Sequence, residues 1–174
     1  NPMVACVIAR SDGRIIGEGN HAQFGGPHAE PTALAACTED PRGATAYVTL
    51  EPCCHTNKKT PPCSPRLIKA GIARVVIGCL DPNPEVDGKG VAMLRNAGIT
   101  VVTAPPLLAA EFKQLIAPFI LAQQYGRPYI TLKWAEDANG AVAADDGGPL
   151  RISGPESTRA VHQLRTRSHA IAVG

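Results

Sequence analysis

Thr45-Ala46-Tyr47-Val48-Thr49-Leu50-Glu51-Pro52-Cys53-Cys54-His55, closed after a further loop by Cys63, is the stretch on which the fold turns. Residues 45–50 read as a buried strand. Pro52 then stops the ladder, because proline has no N–H to donate. The loop reaches Cys63 and leads into a short helix over 64–70, closed by Gly71. A second apolar strand pattern follows at 74–79, a helix at 90–97 stopped by Gly98, and a strand at 99–103. On the N-terminal side, residues 3–10 are β-prone, Ser11-Asp12-Gly13 is a turn signal and 14–19 resumes an extended pattern, which predicts a hairpin. After the breaker Gly25-Gly26-Pro27, residues 29–37 are rich in Ala and Leu and predict a helix that accepts Pro31 only in its first turn. Strands alternating with helices predict a layered α/β sheet.

Residues 107–124 predict a longer helix interrupted at Pro118, and Tyr125-Gly126-Arg127-Pro128 breaks the pattern. We place a domain boundary there, giving 1–124 and 125–174. Beyond it, 129–135 predicts a strand, 155–167 a helix and 170–173 another strand. There is no internal repeat.

The chain has 174 residues, 44% of them hydrophobic, enough for a packed core. Its formal charge is +2, and no basic run extends beyond Lys58-Lys59, so composition favours a small-molecule partner over nucleic acid or a membrane surface. No apolar run approaches the roughly 20 residues of a membrane span, and the start lacks a signal-peptide pattern, which together predict a cytoplasmic protein. Of the six cysteines, Cys6, Cys37 and Cys79 lie in apolar segments, where a thiol packs as a small hydrophobe. Cys53, Cys54 and Cys63 instead crowd into a Pro-rich loop with His55, and clustered Cys and His point to metal.

His28 in His28-Ala29-Glu30 joins Cys53 and Cys63 as one imidazole and two thiols. Three such ligands with one open position suit catalytic zinc, which lowers the pKa of water from about 15.7 toward about 7. Glu30 is too close to His28 in sequence to be a comfortable fourth ligand, but it can act as a general acid/base. His28 and Cys63 fall at predicted helix starts, where thiolate is favoured. Cys54 or His55 in place of Cys53 is the alternative ligand choice. The whole order resembles the base-deaminase signature of His-x-Glu followed by Pro-Cys and a later Cys. It departs from the common form in that the second Cys comes ten residues after Cys53.

His28-Ala29-Glu30, Thr49-Leu50-Glu51-Pro52-Cys53-Cys54-His55, Lys59-Thr60-Pro61-Pro62-Cys63 and Asp81-Pro82-Asn83-Pro84 resemble the bifunctional riboflavin-biosynthesis deaminase-reductase family. The resemblance implies a cytidine-deaminase-like three-layer α/β/α sandwich acting on a phosphoribosylamino-diaminopyrimidinone, followed by the start of a dihydrofolate-reductase-like α/β domain that uses NADPH when complete. It carries zinc ligation onto His28, Cys53 and Cys63 and proton transfer onto Glu30. Substrate contacts fall on Asn1, His21, His55, Lys59, Thr60 and Asn83, with Lys59 suited to a phosphate as a flexible point charge. On the reductase side it marks Ser153 and Arg165. The chain departs from the family pattern by one additional residue within Thr56-Asn57-Lys58, by Asn139 where Asp is usual and by Arg151 where Trp is frequent. The reductase segment stops short of a dinucleotide-binding sheet, so reduction by this chain alone is not expected. Its incomplete sheet edge favours association into a homo-oligomer.

Two rival readings stay open at this level. One is a deaminase of another nucleobase, nucleoside or tRNA base. The other is a structural zinc module closed by Cys53, Cys54, His55 and Cys63, which would leave no water to activate.

Overall fold

A computed structural model describes residues 2–57, 59–145, 147–148 and 151–173. These residues form two compact units, Asn1–Tyr129 and Ile130–Gly174. The first unit holds strands β1 (Ala5–Ala9), β2 (Ile15–Asn20), β3 (Thr45–Leu50), β4 (Arg74–Cys79) and β5 (Thr100–Thr103). Between and after them come helices α1 (Ala29–Ala35), α2 (Cys63–Lys69), α3 (Lys89–Asn96), α4 (Pro106–Leu115) and α5 (Ala117–Tyr125).

The sheet order is β2-β1-β3-β4-β5. β1 is antiparallel to both neighbours, whereas β3, β4 and β5 run parallel. β2 therefore points the same way as β3 and β4, and the ends of all three strands emerge along one edge. Open α/β sheets place their ligand sites at that edge, because the loops leaving the strand ends can converge there.

Side chains alternate between the two faces of the sheet, and each face has its own cover. Ile8, Ala46, Val75 and Ile77 are fully buried in one cluster with Ala33 of α1, Leu67 of α2 and Leu94 of α3. Gly78 points to the opposite face, where an added Cβ would collide with the ring of Phe112 on α4. This is the three-layer arrangement of an α/β/α sandwich. Pro118 breaks the α4–α5 pattern as its chemistry requires, with Ile116 at φ −104° and ψ 15° between the two helices.

α1 is seated on β2 at unusually close range. A Cβ at Gly19 would collide with the Ala33 amide and reach 2.5 Å from the Ala29 carbonyl, and one at Gly17 would reach 2.5 Å from the Ala33 carbonyl. Only glycine leaves room for a helix backbone to lie on the strand in this way. The contact sets the height of α1 above the sheet, and with it the position of the residue at its start.

In the second unit, α6 (Pro155–Thr166) forms where the sequence predicts a helix. The strands predicted at 129–135 and 170–173 do not form among the described residues. A β-prone run becomes a strand only when a neighbour completes its hydrogen bonds, and no paired partner exists among the described residues there. Tyr129, Ile130, Leu132 and Trp134 are instead exposed. No helix among the described residues is long and apolar enough to cross a membrane.

Gly19→Ala should destabilise the protein by about 1–3 kcal/mol, the usual range for overpacking, because α1 must lift from β2. Urea unfolding would show this as a lowered midpoint. An unchanged midpoint would contradict the close seating of α1 on β2.

Candidate metal centre

The loops leaving β2, β3 and β4 meet above the strand ends, and each brings polar side chains to the meeting point. His28 is the N-cap of α1 and Cys63 the first residue of α2, while Cys53 lies just beyond β3. The last two are stitched together by backbone. The Cys53 carbonyl accepts from the amides of both Cys63 and Ser64 at 3.0 Å, and the Ser64 hydroxyl donates to the Pro52 carbonyl at 2.9 Å. The nine intervening residues can thus vary without moving one cysteine relative to the other.

His28 Nδ1 lies 3.6 Å from Cys53 Sγ and 3.4 Å from Cys63 Sγ. All three donor atoms fall within 4.8 Å of one another. A tetrahedral zinc site with sulfur at about 2.3 Å and nitrogen at about 2.0 Å has N–S edges of about 3.5 Å, so the spacing fits that ion. The donor chemistry fits as well, since imidazole and thiolate are the usual zinc set. Neither Cys54 nor His55 joins this group. Cys54 Sγ instead faces the Glu85 carbonyl at 3.8 Å.

The electrostatics call for a cation. The neighbouring Cys53 sulfur, burial and Glu30 together push the Cys63 thiol far up from its ordinary range. A divalent ion reverses this by favouring thiolate. Glu30 is 3% exposed, and burial raises its carboxyl above the usual carboxylate range. It lies within hydrogen-bonding reach of Cys63.

His28 and Cys53 open onto a cavity of about 200 Å³. His21, His28, Glu30, Cys53, His55 and Asn83 all line it. The His21 ring packs edge-on against His28 with centroids 5.3 Å apart, and its Nδ1 donates to the Pro27 carbonyl at 2.9 Å. His55 Nε2 is 3.7 Å from the Glu85 carboxylate, while its buried Nδ1 has no partner within the described protein. Lys59 does not line the cavity; its ammonium sits over the Phe24 ring, 4.2 Å from the centroid. Thr60 is half-buried on the same loop. Asn1 and Lys58 lie outside the described residues. Ser153 is half-buried and Arg165 exposed, both in the second unit.

Sequence reasoning missed four lining residues that matter: Leu50, Glu51, Asp81 and Phe119. Glu51 and Asp81 are buried carboxyl residues flanking the loops. Phe119 comes from α5 and forms, with Leu50, an apolar wall. No spacing in the sequence links position 119 to position 50.

Zinc content after dialysis should be about one ion per chain in the wild type and in Cys54→Ser, as expected for one three-ligand site. His28→Ala, Cys53→Ser and Cys63→Ser should each lose most of it. Retention of full zinc in all three would show that the ion is held elsewhere.

Residues 1–79 match the model of the cytidine and deoxycytidylate deaminase zinc-binding region. The chain is 47% identical to the riboflavin biosynthesis protein RibD of Actinobacillus pleuropneumoniae, over 100% of its own length and 45% of that protein. It is also 47% identical to RibD of Escherichia coli K12, over 98% of this chain and 46% of the relative. Among solved structures, the diaminohydroxyphosphoribosylaminopyrimidine deaminase/5-amino-6-(5-phosphoribosylamino)uracil reductase of Thermotoga maritima superimposes with a TM-score of 0.87 at 45% identity, covering 95% of this chain and 46% of that one. The chain spans about half the length of the relatives it matches. Over the stretch it spans, the chain is similar to the riboflavin-biosynthesis deaminase/reductases.

Proposed function

We propose that this chain catalyses hydrolytic deamination of a diaminopyrimidinone carrying a phosphoribosylamino group. The observation that carries this reading is the buried Glu30 carboxyl beside three metal-competent donors, with Glu30, His28 and Cys53 lining one cavity. His28, Cys53 and Cys63 would hold zinc, and zinc, when bound, supplies a water acidic enough to attack at neutral pH.

Glu30 would take the proton from the attacking water and deliver it to the departing amino group, so that ammonia leaves and a carbonyl oxygen replaces it. Burial suits it to this exchange, because a carboxyl with a raised pKa can hold the proton between the two steps. Leu50 and Phe119 offer an apolar wall to a flat heterocycle. His21, His55 and Asn83 supply polar contacts around its edge, and the partnerless Nδ1 of His55 is one such contact. Lys59 and Thr60, on the loop beside the cavity, would meet the phosphate. Asn1 is proposed as a further substrate contact.

The substrate class follows the name of the Thermotoga maritima deaminase/reductase, and the proposal divides the chain into a deaminase domain at 1–124 and the opening of a dihydrofolate-reductase-like domain at 125–174. Ser153 and Arg165 would serve that second activity in a complete reductase with NADPH. The deaminase half is proposed to act on a phosphorylated small molecule.

Glu30→Gln should keep its zinc and lose ammonia release by about 100-fold to 10,000-fold, the range for a general acid/base. Full activity in that variant would overturn the role of Glu30. Lys59→Ala should raise KM for the phosphoribosyl substrate while leaving turnover of an unphosphorylated pyrimidine unchanged. Faster turnover of unphosphorylated cytosine or guanine by the wild type would favour a deaminase of a different base.

A further inference from the structure

Glu51 is a buried carboxylate that neither binds the metal group nor is needed for proton transfer, yet it collects three backbone donors. Its Oε2 accepts from the Asp81 amide at 3.3 Å and from the Gly88 amide at 3.0 Å, and its Oε1 accepts from the Val91 amide at 3.0 Å. Only 3% of the residue is exposed, so these are charge-assisted bonds shielded from water. One oxygen therefore grips both ends of the turn between Asp81 and Gly88.

Cys54 Sγ at 3.8 Å from the Glu85 carbonyl, His55 Nε2 at 3.7 Å from the Glu85 carboxylate and Val86 packed with Cys53 and Cys63 also join the turn to the metal-bearing loop. Other bonds lie within the turn. The Asn83 amide donates to Asp81 Oδ1 at 2.9 Å, Asn83 Oδ1 accepts from the Glu85 amide at 3.0 Å, and the Asn83 carbonyl accepts from Val86 at 2.8 Å and Asp87 at 3.0 Å. Such bonds fix the shape of the turn but not its place relative to the cavity that Asn83 lines. The start of α3 gives a second measure of the same docking. A Cβ at Gly90 would collide with the Pro52 carbonyl and come within 3.1 Å of Glu51 Oε1, so the helix is seated directly on the segment that carries Cys53.

We infer that Glu51 is a positioning residue: it holds the 81–88 turn against the metal-bearing loop so that Asn83 meets the substrate. This rests on the deaminase reading above and adds a residue that sets substrate affinity without touching substrate or metal. Glu51→Gln keeps the shape but replaces one acceptor oxygen by a donor amide, which must face a backbone N–H.

In the zinc-loaded protein, Glu51→Gln should raise KM for the phosphoribosylaminopyrimidine about tenfold with kcat within about twofold, since a binding contact is displaced and the chemistry is not. Zinc content should not change. Asn83→Ala should raise KM similarly, and the double variant should add nothing further, because both changes remove one contact. An unchanged KM, multiplying effects in the double variant, or a fall in kcat with loss of zinc would each overturn the assignment. Amide hydrogen exchange gives a readout free of turnover: Asp81 and Gly88 should be protected in the wild type and should exchange together about tenfold faster or more in Glu51→Gln. If the wild type releases no ammonia from this substrate, the functional reading fails and exchange alone decides the claim about Glu51. Unaltered exchange in the variant would refute it.

Discussion

Two thiols packed within 4.8 Å of an imidazole, with a carboxyl beside them, cannot all become anionic in a buried site unless a cation joins them. That constraint organises the loops around the sheet edge. It explains why the sulfurs arrive by separate routes yet are joined through the Cys53 carbonyl, which receives the Cys63 and Ser64 amides. It also explains why the imidazole comes from a helix start held down on β2 by Gly17 and Gly19. The sheet sets where strands end, the helices set where donors begin, and the ion requires both to agree within tenths of an ångström.

Much of this architecture could be read from sequence, for identifiable reasons. β3 and β4 match their expected limits at 45–50 and 74–79, because both are interior strands of the sheet, rich in β-prone residues and followed within three residues by a proline. Metal-competent residue types are few and chemically distinct, so His28, Cys53 and Cys63 stand out wherever they lie in the chain. Glu51 and Phe119 did not stand out. A buried carboxylate that caps backbone amides looks like any surface Glu in one dimension, and an aromatic wall depends on which helix the sheet brings near. The strand patterns at 129–135 and 170–173 show the opposite failure, in which local propensity is present but no partner strand is there to pair with.

On the proposed reading, specificity and chemistry are divided between different loops. The donor triad and Glu30 sit on α1, α2 and the end of β3, whereas Asn83 sits on the turn after β4. Glu51 joins the two groups, one residue beyond Leu50 and two before Cys53. In such a layout the turn can be retuned for a different substrate while the metal geometry stays fixed, which is how one fold serves several deaminations. Lys59, resting over Phe24 on the loop between Cys53 and Cys63, belongs on that reading to the adjustable part.

X-ray absorption at the zinc edge tests the central claim most directly. The account predicts one imidazole nitrogen and two sulfurs from the protein, at about 2.0 Å and about 2.3 Å, with a light-atom donor from solvent completing the shell. A shell of three sulfurs with a nitrogen, or of two sulfurs with two imidazoles, would place Cys54 or His55 on the ion. That result would contradict an open, catalytic centre and make the site a structural one.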